Sequence, residues 1–245
     1  MLAENRVPTR WDLDAVSPHH PVYIQAIWGY WGWPPLVSVL NSRALELCGI
    51  TRHTQPPGEG EADRRVGIRD KRFVIQHLQF ATPRQLDRMK ALDLVVGVHP
   101  NNHIWKRGRR HLTPEGRRQI DRVTPMRDLI DRGIPVTVET DGSPIDMLHA
   151  LWVILARRER ETGELIAPEQ RISRPEASRA STLNGAYLTL EEHKKGSLEP
   201  GKGADIVVLE EDLLTAPEDR VKDLRVRMTV VGGQIVHDSA AAKAQ

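Results

Sequence analysis

Apolar residues along the middle of the chain follow two kinds of spacing. Phe73–Leu78, Leu94–Val98 and Val136–Thr140 are short runs rich in β-branched residues, the signature of strands. Leu94–Val98 is nearly all apolar, as a strand covered on both faces should be. Between these runs the spacing widens to that of a helix. Thr82 caps a helix with Pro83 at its first position, and Leu86, Met89 and Leu92 form its apolar stripe. Thr113 and Pro114 repeat that start, with Ile120, Val123, Leu129 and Ile130 carrying a helix to Gly133. Asp146–Arg160 reads as the helix after the third strand. Ser173 and Glu176 frame a capping box that opens one more, with Ala177, Ala180 and Leu183 on one side. Strand and helix alternating at this interval predict parallel strands joined by right-handed crossovers.

The flanks have a different texture. Pro21–Ile27 reads as a strand and Leu36–Cys48 as a helix that stops at Gly49, a residue suited to a left-handed cap. Between them Trp28, Trp31 and Trp33 crowd among glycines and prolines; they form either a stacking platform for a ligand or a core plug, and the two readings stand equal. Gln55–Arg65 is polar, rich in breakers and without period, as a linker or long loop is. After residue 190, Gly196–Leu209 and Val226–Val236 read as short strands joined by glycine turns, with Gly232-Gly233 as a hairpin signal. The expected organisation is therefore a βα part over residues 1–190 and a small β element over 191–245.

Composition narrows the function classes. The 245 residues are 39% hydrophobic and 28% charged with formal net charge +2, which suits one soluble globular domain and gives no reason to expect nucleic acid or a membrane as partner. The densest basic run, Lys106–His111, reads as a solvated loop before it reads as a phosphate patch. One cysteine, Cys48, excludes internal disulfides and any Cys-rich zinc module; its amphipathic surroundings predict a buried structural thiol. The amino terminus has no apolar signal region and no window reaches transmembrane length, so a cytoplasmic protein is expected.

Candidate chemistry sits at strand ends. In residues 134–144 a β-branched run ends on Asp141 before Gly142 and Pro144 break it; in Arg72–Gln79 the same position carries His77. Active sites of α/β enzymes are built at the carboxyl ends of strands, and an imidazole with a carboxylate there is a metal-ligand combination. His99 and His103 follow the second strand. Either binds substrate or supplies a ligand, with polar loop residues as the plainer reading, since Pro100 argues against a helical pair. Strand alternation with Val95 and Gly97 would set His99 near the pocket. Asp146 and His149 read as cap and surface, and His19 and His20 as a solvated turn. There is no Gly-x-Ser-x-Gly elbow, phosphate-binding glycine loop, His-Glu-x-x-His or Cys-x-x-Cys, which removes several competing enzyme classes.

Ile75-Gln-His-Leu-Gln79, Glu139-Thr-Asp-Gly-Ser143, Thr182-Leu-Asn-Gly-Ala186 and the ending Gly196–Leu209 with Val231–Val236 resemble amidohydrolase family 3, within the metal-dependent amidohydrolase superfamily. The early stretch from Pro8 through Leu47 is similar to it as well. The resemblance implies an α/β fold: a (β/α) TIM-type barrel, here partial, with a small appended β-sandwich element formed by both chain ends. It implies a divalent metal, zinc by preference, and hydrolysis of carbon–nitrogen bonds other than peptide bonds in small-molecule amides. His77 falls at the family's sixth-strand histidine ligand, and Asp141 at its eighth-strand aspartate, which touches metal and shuttles a proton. Trp31, His99 and His103 are the candidate substrate-binding residues.

The chain also departs from that family. No His-x-His pair occurs anywhere, no match is found for the fourth-strand lysine or glutamate or the fifth-strand histidine, and Glu139 stands where glycine is common. Only three βα units and a possible fourth are legible, whereas a full eight-stranded barrel needs about 250 residues by itself. The alternative is a catalytically inactive barrel remnant serving as a structural module, because an incomplete barrel exposes strand edges. In either case a homo-oligomer is expected.

Overall fold

The computed structural model describes residues 9–24, 39–51, 53, 69, 71–141 and 144–240. The aromatic stretch with Trp31 and the proposed linker over residues 55–65 lie outside these. The chain divides into two compact units, Met1–Glu61 and Ala62–Gln245.

In the first unit, helix α1 (Arg10–Val16) precedes an antiparallel pair, β1 (Tyr23–Ile24) with β2 (Val39–Leu40), and helix α2 (Ser42–Leu47). Asn41 organises it. Its side-chain oxygen accepts from Ala44 N and Val22 N, both at 2.9 Å, and its amide donates to Ser17 O and His20 O, both at 2.8 Å. That cap starts α2 at Ser42, and Val39–Leu40 just ahead of it is a strand where a helix was expected. Gly49 takes φ +64, as a helix-terminating glycine should. Cys48 is exposed, not buried, along with neighbouring Leu47 and Ile50.

The second unit is α/β. Strands β3 (Val74–Ile75), β4 (Val95–Val98) and β5 (Val136–Val138) form a parallel sheet with β4 in the middle, in the register Val74↔Val95 and Val96↔Val136. All of β4 is buried. Helix α3 (Pro83–Ala91) crosses from β3 to β4, opened by the reciprocal Thr82–Gln85 cap, and buries Leu86 and Met89. Among the described residues the parallel sheet has these three strands and does not close on itself. Phe73 and Val74 leave the β3 edge open to solvent, while on the other edge Asn184 Nδ2 donates to Val136 O at 2.8 Å.

The expected helix through residues 113–133 is broken. Two 3₁₀ stretches, Gly108–Leu112 and Gly116–Arg122, precede helix α4 (Met126–Asp131). The break has a cause: Val123 bridges Phe80, Thr124 N bonds Gln79 O at 2.7 Å, and Pro125 supplies no N–H to continue a helix. Helix α5 (Met147–Ala156) is buried along Ala150–Ala156 and forms the centre of the core with the sheet. It stops before the expected Arg160 because Arg157 turns left-handed at φ +55 and enters the core. Helices α6 (Arg174–Ser181, with its Ser173–Glu176 capping box) and α7 (Leu183–Leu188) follow.

Strands β6 (Ile206–Leu209), β7 (Val226–Val231) and β8 (Gln234–Asp238) form an antiparallel sheet in sequence order, with the Gly232-Gly233 hairpin at φ +54 and +81. Val207, Ile235 and Val236 on this sheet remain exposed. No helix among the described residues is long and apolar enough to cross a membrane.

Candidate metal centre

Three consecutive parallel strands deliver ligand-type side chains to the same rim. His77 stands just past β3, His99 just past β4, and Glu139 and Asp141 just past β5. Backbone bonds fix the spacing: Leu78 N to Gly97 O is 3.0 Å and Glu139 N to Val98 O is 2.8 Å. The register sets Ile75 beside Val96, so plain alternation would leave His77 level with Val98, on the face away from Gly97 and His99. His77 escapes it by adopting φ +56, and Asp141 takes φ +46. Left-handed backbone at residues other than glycine costs on the order of 1 kcal/mol and clusters at functional sites.

One atom from each of His77, His99 and Asp141 lies within 4.8 Å of the others. Asp141 Oδ2 is 3.8 Å from His77 Nε2 and 3.5 Å from His99 Nδ1. The imidazole rings of His77 and His99 are 5.1 Å apart between centroids. His99 is 4% exposed, and neither ring nitrogen has a partner in hydrogen-bonding geometry. Burial pushes its pKa down, against the pull of the Asp141 carboxylate, and the nearby Thr140 backbone also favours the charged ring without completing a bond. The neutral form with a free lone pair is the one a metal takes. This donor set of two imidazoles and a carboxylate fits a divalent ion.

Glu139 was not among the residues singled out for chemistry. Its carboxylate lies 3.1 Å from His77 Nε2, and burial raises its pKa while His77 opposes that rise. The available signal was Gly97: a glycine in the middle of a buried strand marks a close approach, here that of Glu139.

His103 follows His99 by one helical turn. Its N–H bonds His99 O at 3.1 Å, so Pro100 opens a helix, corrected here from the expected loop, and a π-helical turn continues over Asn101–Lys106. Proline is tolerated there because the first N–H of a helix has no intrahelical partner anyway. His103 is buried behind His99, ring centroids 5.7 Å apart, and burial drives its pKa to about 3. Asp146 is a cap, as expected, accepting from Leu148 N at 2.8 Å. His149 is no surface residue: it is half-buried between Trp105 and Trp152 and bonds Asn101 Oδ1 at 2.9 Å. Trp31 lies outside the described residues. A cavity of about 480 Å³ flanks the start of β5, lined by Ile134, Pro135, Val136, Leu183 and Tyr187, at the strand end opposite Asp141.

Against known proteins, the amidohydrolase family matches residues 60–237. An N-substituted formamide deformylase of Arthrobacter pascens is 26% identical over 184 residues, covering 73% of this chain and 33% of its own length. The imidazolonepropionase of Thermoplasma acidophilum is 36% identical over 87 residues, covering 34% of this chain and 18% of its own. Among solved structures, an adenosine deaminase from Xanthomonas campestris with bound zinc superposes with TM-score 0.52 at 16% identity, over 83% of this chain and 46% of that one. The chain thus spans about a third of the length of the deformylase it matches.

Proposed function

This chain belongs to the amidohydrolase family, and from that premise we propose that it carries the metal-binding rim of a hydrolase acting on carbon–nitrogen bonds, other than peptide bonds, in small amide-type molecules. The convergence of His77 and Asp141 at the carboxyl ends of β3 and β5 carries the reading. The deformylase relative is named for N-substituted formamides, which contain such a bond. In this reading β3 to β5 are part of a (β/α) barrel spanning residues 1–190, and β6 to β8 are half of a composite sandwich over 191–245.

His77 and Asp141 would hold the ion, with zinc the first to test because the deaminase of similar fold binds it. What such an ion supplies when bound is Lewis acidity, which brings the ionisation of water into the neutral range. The chain's own part is proton handling. The Asp141 carboxylate, with its side chain about half exposed, would accept a proton from the attacking water at Oδ1, since Oδ2 is the oxygen nearest both imidazoles. As the C–N bond breaks, it returns that proton to the departing nitrogen. Glu139 Oε2 lies 3.1 Å from the same His77 Nε2, so its carboxylate faces the ion position itself and adds negative charge there. His103 behind His99 and Trp31 remain the candidates for substrate contact. The inactive-remnant alternative gains no support from a rim on which a buried imidazole is kept without a hydrogen-bond partner.

The test is metal analysis of purified protein, paired with hydrolysis assays on N-formyl, N-acyl and cyclic amides. One equivalent of zinc, lost in Asp141→Ala and His77→Ala together with activity, is the expected result. Protein that stays zinc-free after reconstitution and inert on the whole panel would overturn the reading.

A further inference from the structure

We infer that His99 is itself a metal ligand, donating from the end of β4 into the site that His77 and Asp141 form at the ends of β3 and β5. The inference deepens the proposed function and rests on it for the presence of an ion at this rim.

His99 lacks what an ordinary core histidine has. A buried imidazole normally satisfies at least one ring nitrogen, because stripping water from an unpartnered polar atom costs about 1–3 kcal/mol. Here the ring is 4% exposed and both nitrogens lack hydrogen-bond partners. Its backbone is meanwhile held from both sides: Val98 O accepts from Glu139 N, and His99 O accepts from His103 N. The ring is fixed, dehydrated and unsatisfied, which is costly unless something binds it.

The spacing identifies what that is. Bonds of about 2.1 Å to a tetrahedral ion put its ligand atoms about 3.4 Å apart. Asp141 Oδ2 is 3.5 Å from His99 Nδ1 and 3.8 Å from His77 Nε2, so one oxygen has an imidazole nitrogen near that separation on either side. Two imidazole nitrogens and one carboxylate suit zinc or cobalt(II) and not the all-oxygen preference of magnesium or calcium. His77, His99 and Asp141 are three donors from the described residues, the number that a catalytic site of this kind draws from protein. The family's pattern places ligands on the first, fourth, fifth, sixth and eighth strands; here the strand between those of His77 and Asp141 supplies one.

The test uses the full chain loaded with zinc. Competition with a chromophoric chelator measures affinity for the natural sequence and for His99→Gln, and zinc-edge X-ray absorption counts imidazoles in the natural sequence alone. The expected result is two imidazoles and an affinity loss greater than about 100-fold, beyond the 10–100-fold that losing a residue that merely orients a ligand costs. Should His99→Gln fail to fold, the imidazole count decides by itself. One bound zinc with a single imidazole, or a His99→Gln affinity within about 10-fold of the original, overturns the inference and leaves the hydrolase reading standing. Natural-sequence protein that binds no zinc overturns the inference, and the hydrolase reading with it if the amide panel also goes unhydrolysed.

Discussion

Gly97 and Glu139 share one space. A Cβ on Gly97 would overlap Glu139 Oε1 and stand 2.7 Å from its Cδ, so the carboxylate can lie beside His77 only because the central strand carries no side chain at that point. Gly97→Ala should therefore push the carboxylate away from His77. On its own, an alanine in a strand interior gains about 0.5–1 kcal/mol over glycine. The expected pattern is non-additive: Gly97→Ala is neutral or destabilising in the natural sequence and stabilising by about that amount in a Glu139→Ala background. Denaturant midpoints of the four proteins in the cycle measure it, and simple additivity would contradict the shared space.

Metal should stabilise as well as activate. A ligand that binds only the folded state at 100 times its Kd adds about 2.7 kcal/mol, which for a chain of this size is a rise of roughly 5–10 °C in Tm. Zinc titration followed by thermal unfolding should show that rise. A chelator should abolish it, and Asp141→Asn should show little of it.

Arg157 is fully buried and ends α5. It donates from Nε to Ile166 O at 2.7 Å, from Nη2 to Val123 O at 2.6 Å and from Nη1 to Thr124 O at 3.3 Å. Burial pulls its pKa down to about 9, so the guanidinium is still charged at pH 7. Arg157→Met fills similar volume but strands three carbonyls, an expected loss of about 2–4 kcal/mol. Chemical unfolding measures this, and a loss below about 1 kcal/mol would show that water satisfies those carbonyls.

Glu176 makes stability depend on acid pH. The Arg127 guanidinium, bonded at 2.8 and 2.9 Å, holds its pKa at about 2, with Ser173 adding the cap bonds. The folded-state pKa is depressed, so the unfolded chain binds the proton more readily and stability falls as pH drops. The contribution is present above the unfolded value of 4.5 and is lost as pH falls toward 2. Allowing for a partly solvated pair, Glu176→Gln should cost about 1–2 kcal/mol at pH 7. That difference should vanish near pH 2; urea unfolding at both pH values is the measurement.

What the linear pattern determined is local. The β-branched runs gave β3, β4 and β5, because buried parallel strands are written as short apolar stretches. The Thr82–Gln85 and Ser173–Glu176 boxes gave two helix starts, because capping is settled within four residues. His77 and Asp141 were legible as strand-end groups for the same reason. Where local signals competed with distant ones, the reading missed. The helix pattern through residues 113–133 yields to the Phe80–Val123 bridge and to Pro125. The apolar run of α5 gives no hint that Arg157 will find three carbonyls. The amphipathic pattern around Cys48 predicted cover that its unit does not supply.

The centre of the site belongs to tertiary structure. Sequence shows that His99 and Glu139 follow strands, but not that those strands are neighbours, nor in what register. Pairing Val98 with Val138 brings His99 beside Asp141 and lays Glu139 over Gly97. Register arises from contacts between segments distant in sequence, while spacing reports only the backbone state of each segment by itself.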